Sequence, residues 1–263
     1  MTDELSFQSN LERRVQNLAL GPSVPSNALV PVFEAIYNSI HAIQDRFGAE
    51  WCDNGRIHVA IHNLNTPHLS FEIRDNGIGL TDNNFVSFRT FDSGYKSTRG
   101  GKGVGRLTWL KVFENAKISS SFFANGEILA RNFKLVLSNY TPIVEYTNSV
   151  SNTHIGTTVL LANMNPVYAK FIPTKSNTIV RKIIAHFLPY LISPKKPQIF
   201  VETENESIDI ATFVQEREIR LGESEIKLSD GRILVLRHNL LERGIVEGTA
   251  AHRLYFSANE RIV

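Results

Sequence analysis

The sequence predicts an α+β fold, a mainly antiparallel mixed sheet with helices on one face. Two alternating apolar runs, residues 56–64 and 69–73, are separated by Asn65-Thr66-Pro67, which is typical of neighbouring strands joined as a hairpin. Strand-like and helix-like segments do not alternate regularly along the chain, which disfavours a doubly wound parallel sheet. The same alternation predicts further strands at residues 116–123, 127–136, 142–146 and 157–162.

Three segments carry apolar residues at helical spacing. The first spans residues 27–47, and Pro31 suits the first turn of its regular part. The other two span residues 104–113 and 177–192. Residues 80–103 contain many loop-forming residues, and we expect a loop-rich stretch there.

The sharpest break in the pattern is the segment Ser193-Pro194-Lys195-Lys196-Pro197. It predicts a first domain at residues 1–193 and the beginning of a second domain at residues 198–263. The second segment consists mostly of short strand-like runs and does not close a fold of its own. We therefore expect the chain to be part of a longer protein.

The composition is that of an ordinary globular protein, with 42% apolar and 21% charged residues among 263. A net charge of +2 gives no bulk electrostatic reason to bind nucleic acid or an anionic membrane. The single cysteine excludes a disulfide within the chain and a cysteine-based zinc site, and it fits a reducing, cytoplasmic location. No apolar run is long enough to predict a transmembrane helix.

Two polar features stand out in the first half of the chain. On the first predicted helix, Glu34, Asn38, His41 and Asp45 fall within about 60° of one another at 100° per residue. Taken alone, such a stripe is usually the solvated face of an amphipathic helix. The segment Asp75-Asn76-Gly77-Ile78-Gly79 follows a predicted strand and, taken alone, is most often a turn.

A glycine-rich segment at residues 100–105 comes directly before a predicted helix. Its backbone N–H groups and the helix N-terminus favour an anion, and Lys102 and Arg106 add positive charge. A Walker A loop would need glycine at Lys96, and a dinucleotide-binding G-x-G-x-x-G motif would need it at Arg106 or Thr108. Both of these phosphate motifs are therefore excluded, and a flexible glycine linker is the alternative.

As a set, these segments resemble the motifs of the GHKL superfamily, the Bergerat-fold ATPases related to gyrase B, heat-shock chaperones, histidine kinases and MutL. The resemblance extends over residues 33–159 and is to the MutL, gyrase B, heat-shock chaperone and MORC-like branch. The matching segments are Phe33-Glu34-Ala35-Ile36-Tyr37-Asn38-Ser39-Ile40-His41-Ala42, Ile73-Arg74-Asp75-Asn76-Gly77-Ile78-Gly79-Leu80, Gly101-Lys102-Gly103-Val104-Gly105 and Gly156-Thr157-Thr158-Val159. It implies a Bergerat-type sandwich followed by the start of a second, α/β transducer-like domain.

The resemblance also implies a role for each matching residue. Glu34 would be the general base that polarises the attacking water, and Asn38 would coordinate magnesium through its amide oxygen. Asp75 would accept a hydrogen bond from the adenine amine, with Thr157 supporting the same network. The other implied nucleotide-binding residues are Gly77, Ile78 and Gly79 in the turn, and Lys96, Ser97, Gly101, Lys102, Gly103, Val104, Gly105 and Arg106 in the lid region around the phosphates.

The implied function is magnesium-dependent ATP binding and slow hydrolysis that drive a lid and dimerisation switch. The expected cofactors are ATP and Mg²⁺, and the expected partner is a second copy of the chain in an ATP-dependent homodimer. Two alternatives remain open: a nucleotide-dependent scaffold without significant hydrolysis, and a histidine or protein kinase of the same fold. Residues 1–26 are too short for the helical hairpin that carries a phosphoacceptor histidine. A protein or DNA client would bind through regions beyond this chain, and no membrane partner is expected.

Overall fold

The computed structural model describes residues 10–90, 105–151, 153–196 and 198–245, and the backbone of residues 257–258 and 261–262. It has an α+β fold built on one large mixed sheet, which confirms the predicted fold class. The helices are α1 (Leu11–Gln16), α2 (Val30–Phe47), α3 (Trp51–Asn54), α4 (Asp82–Arg89), α5 (Gly105–Val112), α6 (Pro166–Ala169), α7 (Ser176–Leu191) and α8 (Ile210–Gln215). The strands are β1 (Arg56–His62), β2 (Ser70–Asp75), β3 (Phe113–Ala124), β4 (Glu127–Val136), β5 (Ile143–Val150), β6 (Gly156–Met164), β7 (Gln198–Glu202), β8 (Ser207–Asp209), β9 (Glu218–Lys227), β10 (Ile233–Leu241), β11 (Ser257–Ala258) and β12 (Arg261–Ile262).

The large sheet has eight strands in the order β5-β4-β3-β6-β2-β1-β7-β8. Neighbouring strands are antiparallel except for β1 and β7, which are parallel. The predicted hairpin is confirmed, because β1 and β2 pair from Ile57 opposite Asp75 to His62 opposite Ser70. The predominance of antiparallel pairs also agrees with the sequence pattern.

The hydrophobic core lies on one face of this sheet. Along β1 and β2, the alternate residues Ile57, Val59, Phe71 and Ile73 are buried, whereas Arg74 on the opposite face is exposed. Helices α2, α5 and α8 contact the strands, and α7 contributes to the same core. Helix α2, which carries the first predicted motif, packs on this buried face against β1 and β2.

Helix α2 confirms the helix predicted at residues 27–47. A 3₁₀ turn (Pro25–Leu29) leads into it, Pro31 lies in its first turn, and Gly48 with φ 54° follows its last residue. An aromatic contact joins α2 to α7, where the rings of Phe33 and His186 stack with centroids 4.0 Å apart. This packing holds the motif-bearing helix in place against the core.

The expectation of a loop-rich stretch at residues 80–103 is wrong for residues 82–89, which form α4. Thr81 caps this helix by accepting a hydrogen bond from the backbone of Asn84 at 3.3 Å. Its aromatic residues pack against Phe133 on β4, and the centres of the Phe85 and Phe88 rings lie 5.5 and 5.3 Å from that of Phe133. Tertiary packing therefore stabilises a short segment whose intrinsic helix propensity is low.

Residues beyond the predicted break continue the large sheet. Strand β7 pairs in parallel with β1, and Val201 on β7 and Val214 on α8 are buried in the common core. Strands β9 and β10 form a separate two-stranded sheet, as do β11 and β12. The division into domains at residues 1–193 and 198–263 stays a prediction. Among the described residues, no helix has the length and apolar character to cross a membrane.

Candidate functional site

Four polar residues form a row across the sheet where β2 ends and β6 begins. Asp75 on β2 lies opposite Thr157 on β6, and Thr157 lies opposite Ser120 on β3. Ser120 in turn lies opposite Arg131 on β4. Because side chains alternate along a strand, Asp75 lies on the same, helix-covered face as Ile73. We call these four residues the polar row; it brings together two predicted site residues, Asp75 and Thr157.

Asp75 is half-buried, and donors from three segments hold its carboxylate. Ser39 Oγ donates to Oδ2 and the Gly77 N–H donates to Oδ1, each at 2.8 Å, and the backbone of Thr157 also donates. Burial nevertheless raises the pKa of Asp75 from 3.8 to about 6, because desolvation outweighs these hydrogen bonds and the positive charge of Arg46. A carboxylate has about four acceptor positions, so Asp75 keeps capacity for a further donor such as an exocyclic amine.

The turn that follows β2 is fixed against α2. The Ile78 N–H donates to the Ala42 carbonyl at 3.0 Å, and an ideal Cβ on Gly77 would lie 2.5 Å from the Ala42 Cβ. Gly79 has φ 77°, and a Cβ there would collide with the Ser121 carbonyl oxygen. Close packing therefore requires glycine at position 77. At position 79, close packing and the positive φ both require it.

Leu80, the next residue, is held through both of its backbone groups. Its N–H donates to Ser120 Oγ at 2.8 Å, and its carbonyl accepts from Arg131 Nη1 at 2.7 Å. The Arg131 guanidinium is buried near two aromatic rings, 4.4 Å from that of Phe85 and 4.7 Å from that of Phe122. The polar row thus anchors the end of the turn and the beginning of α4.

Glu34 and Asn38 lie one turn apart on α2, where Glu34 is half-buried and Asn38 is exposed. The first residue of α5, Gly105, lies directly against Glu34, because an ideal Cβ on Gly105 would be 2.5 Å from Glu34 Oε2. Trp109 Nε1 on α5 donates to the Pro31 carbonyl at 3.1 Å, which fixes α5 beside the first turn of α2. Since a helix N-terminus carries partial positive charge, the Glu34 carboxylate lies next to a position that favours an anion.

The predicted polar stripe of α2 is not uniformly exposed. Asn38 and Asp45 are exposed, Glu34 is half-buried, and His41 is buried with 5% of its surface accessible. A solvated surface face is therefore the wrong interpretation for His41. Of the four residues in the stripe, His41 belongs to the interior, and the other three are at least partly accessible to solvent.

Most of the residues predicted around the phosphates lie outside the described residues: Lys96, Ser97, Gly101, Lys102, Gly103 and Val104. Arg106 is described, and its Nη2 donates to the Thr90 carbonyl at 2.7 Å while its Cζ lies 5.2 Å from the centre of the Phe88 ring. Arg106 thereby connects α5 to the residue that follows α4. Its role in phosphate binding stays a prediction.

Sequence reasoning missed two residues that act from α2. Ser39 directly follows Asn38 and holds Asp75, as described above. Arg46 Nη1 donates to the carbonyls of Asn76 at 2.6 Å and Ile155 at 2.9 Å, which ties the end of α2 to the turn and to the segment before β6. A serine or an arginine in a helix does not by itself indicate a hydrogen bond to a distant turn, so the sequence alone could not identify Ser39 and Arg46.

Ser120 and Arg131 were also missed, although a signal for each is present in the sequence. Each polar residue occupies a core-facing position in an alternating strand. Ser120 continues the buried series Ala116 and Ile118, and Arg131 is followed in its series by Phe133, which is also buried. A buried polar residue must be hydrogen-bonded to be tolerated, so its position at a core-facing site indicates a specific partner.

The role predicted for Asn38, magnesium binding through its amide oxygen, stays a prediction. No group of three or more His, Cys, Asp or Glu side chains suited to a metal occurs in the part of the chain that the structure describes. A magnesium ion at Asn38 would therefore take its remaining ligands from phosphate oxygens and water. No protein-family model matches the chain, and a search of curated proteins finds no match either.

Proposed function

We propose that the chain binds ATP with magnesium and hydrolyses it slowly, using a Bergerat-type nucleotide-binding fold of the GHKL superfamily. The observation that carries this proposal is that α2 contributes to two parts of one candidate site. Ser39 holds Asp75 at the end of β2, and Glu34 lies against Gly105 at the start of α5. Ser39 lies five positions after Glu34, about 7.5 Å along the helix axis, so α2 sets the spacing between a base-binding and a phosphate-binding end.

Each end has the chemistry that its role requires. Asp75 supplies a partly desolvated acceptor for the amine of adenine, and Gly77 and Gly79 allow the backbone to approach closely. Asn38 would hold magnesium, whose chemistry when bound is to neutralise phosphate charge and orient the transferred group. Glu34 would accept a proton from the attacking water, as a positioned general base does.

The switch is proposed from composition and from the anchors of the glycine-rich segment. Residues 92–105 include five glycines and three positive charges, which suit a lid that closes over phosphates. The described residues on either side, Thr90 and Arg106, are joined by a hydrogen bond. We propose that closure of this lid over ATP promotes homodimerisation.

The proposal is tested by comparing ATP binding and phosphate release for the wild-type chain and Glu34→Ala, with magnesium and with EDTA. The wild type should bind ATP and release phosphate slowly in a magnesium-dependent manner. Glu34→Ala should bind ATP normally and lose roughly 10²–10⁴-fold in turnover, the usual contribution of a positioned general base. Turnover that is unchanged in this variant would remove Glu34 from the mechanism, and ATP binding without any turnover in the wild type would instead support the scaffold.

A further inference from the structure

The large sheet has one long edge with which no other described strand pairs. Its edge strand at the other end, β8, has only three residues and is followed directly by α8, which packs against it. Strand β5 has eight residues, and the last six of them are exposed. An uncovered edge offers free backbone donors and acceptors to a further strand. The edge of β5 is therefore a preformed site for strand pairing.

The backbone groups available at this edge follow from the pairing of β5 with β4. The Ser151 N–H, just after β5, donates to a β4 carbonyl at 2.8 Å. Hydrogen-bonded and non-hydrogen-bonded pairs alternate along an antiparallel ladder, so Thr147 and Ser149 also bond β4. The alternate residues, Asn148 and Val150, direct their backbone N–H and carbonyl groups away from the sheet.

Only the second half of β5 is suited to pairing with another strand. Glu145 has a φ of 54°, and the register of β5 against β4 shifts beside it. Such a β-bulge is one of the features by which natural edge strands avoid pairing. The residues after Glu145, Tyr146–Val150, carry no charge, and we call them the edge segment.

The edge segment is complementary to a second copy of itself. When two copies pair antiparallel about a two-fold axis at Asn148, Tyr146 lies opposite Val150 of the other copy, and Thr147 lies opposite Ser149. An aromatic residue opposite a β-branched one, and a threonine opposite a serine, are favourable cross-strand pairs. An axis at Thr147 or at Ser149 would instead place Asn148 opposite Tyr146 or Val150, which pairs a polar side chain with an apolar one. The sequence of the segment therefore favours one register.

We propose that two copies of the chain associate through their edge segments, antiparallel and with Asn148 at the two-fold axis. Tyr146 and Val150 are 46% and 64% exposed, and this pairing covers both. Tyr146 also stacks on Phe85 of α4, with ring centres 5.6 Å apart, so Val150 of the second copy adds to an existing apolar contact. Because the paired segments are short, we expect a dimer that dissociates on dilution. The edge is formed without nucleotide, so this inference does not depend on the proposed function.

Cross-linking tests the register directly, in a Cys52→Ser background that removes the only native cysteine. Opposing residues of a hydrogen-bonded antiparallel pair have Cα atoms about 5.5 Å apart, and a disulfide allows about 4.4–6.8 Å. Under mild oxidation without nucleotide, Asn148→Cys should form linked dimers. Ser149→Cys is the matched control, because Ser149 is also exposed but lies about 7–8 Å from its own copy across the axis. Equal linkage of the two variants, or none in either, would overturn the inference.

Asn148→Pro tests the backbone pairing. The Asn148 N–H does not bond β4, and proline is tolerated on an edge strand where the N–H faces away from the sheet. Light scattering over a concentration series up to about 1 mM, the range of weak association, should show a dimer for the wild type and for Asn148→Ala. In Asn148→Pro the dissociation constant should rise about tenfold or more, because the two-fold axis removes two hydrogen bonds at once. An unchanged dimer in Asn148→Pro, or a wild type that stays monomeric, would contradict the proposal, and cross-linking decides the question if Asn148→Pro does not fold.

Nucleotide separates this association from the homodimer of the proposed function. A dimer that forms only with ATP and magnesium and persists in Asn148→Pro would support the lid-driven switch and overturn this inference. A dimer that forms without nucleotide and is lost in Asn148→Pro would support this inference, even for a chain that binds no ATP and for which the proposed function has failed.

Discussion

The carboxylate of Glu34 on α2 is in direct contact with Gly105, the first residue of α5. An ideal Cβ on Gly105 would lie 2.5 Å from Oε2, 3.1 Å from Cδ and 3.4 Å from Cβ of Glu34. Any side chain at position 105 therefore displaces the glutamate that we propose as general base. The last residue of the predicted glycine-rich motif thus has a steric reason to be glycine that is separate from phosphate binding.

We expect Gly105→Ala to lower turnover about tenfold or more while leaving ATP affinity within about threefold. A displacement of about 1 Å at a catalytic group is enough for a loss of this size. Alanine in a helix is intrinsically more favourable than glycine by up to about 1 kcal/mol, so the variant should stay folded. Phosphate release and analogue binding are the measurements. Gly21→Ala, where a Cβ would meet nothing within 4 Å, is the control, and equal losses of affinity and turnover would contradict the prediction.

Asp75→Asn should weaken ATP binding without lowering the thermal stability of the protein. The fold raises the pKa of Asp75 from 3.8 to about 6, so the ionised carboxylate destabilises the fold at neutral pH. The gap between these pKa values corresponds to at most roughly 3 kcal/mol. Asparagine keeps the shape and removes that charge, yet it replaces one acceptor oxygen by a donor. Calorimetry should show about 10–100-fold weaker ATP binding, and a large fall in melting temperature would show that the carboxylate is structural.

The same pKa predicts how stability changes with pH. Between pH 4 and pH 6 the folded protein binds more protons at Asp75 than the unfolded chain does, so this group adds stability as the pH falls through that window. The difference in unfolding free energy between Asp75→Asn and the wild type should therefore shrink as the pH is lowered from 7 to about 4. Urea unfolding at several pH values measures this difference, and a gap that widens at low pH would contradict the assigned direction.

ATP affinity should fall as Asp75 is protonated. Below its pKa of about 6 the carboxyl group carries a hydrogen and loses acceptor strength, so affinity should decrease by about tenfold between pH 7.5 and pH 5. Asp75→Asn provides the correction for titration of the nucleotide itself. The hydrogen bond from the Ser39 hydroxyl lowers the pKa of Asp75. The Ser39→Ala variant lacks this bond, so the midpoint of its affinity profile should move to higher pH. An unmoved midpoint would show that another group controls the profile.

The sequence predicted those parts of the fold that local periodicity determines. Helix α2, the β1–β2 hairpin and strands β3, β4 and β6 follow directly from apolar spacing. Helix α4 was missed because Asp82, Asn83 and Asn84 are poor helix formers, and contacts of Phe85 and Phe88 with distant residues stabilise it. The parallel pairing of β7 with β1 joins residues about 140 positions apart, and no local pattern specifies it.

The candidate site was predictable to a similar extent. Asp75 and Thr157 were predicted from motifs, and the structure places them opposite each other. The residue that connects them to the turn is the second of three consecutive serines, Ser119, Ser120 and Ser121. Alternation alone does not say which of the three faces the site, because a shift of one residue exchanges the two faces of a strand. The register of β3 against β6 selects Ser120.

Arg106 provides the sharpest difference between a motif-based and a structure-based expectation. The sequence places it beside the phosphates, whereas in the structure its guanidinium donates to the Thr90 carbonyl and lies over the Phe88 ring. Both contacts depend on the planar shape and the forked donors of arginine, which lysine does not reproduce. We therefore expect Arg106→Lys to act mainly on stability.

The measured effect of Arg106→Lys should be a melting temperature lower by about 2–6 °C, as expected for a loss of about 1–1.5 kcal/mol in a chain of this size. The ratio of ATP to ADP affinity should stay at the wild-type value, because a lost contact to Thr90 does not distinguish the number of phosphates. Thermal unfolding and calorimetry with both nucleotides make the comparison, with Arg181→Lys as the control for a charge-conserving change at an exposed position of α7. An unchanged melting temperature together with a selective loss of ATP affinity would instead assign Arg106 to the phosphates, as its position after the glycine-rich segment predicts.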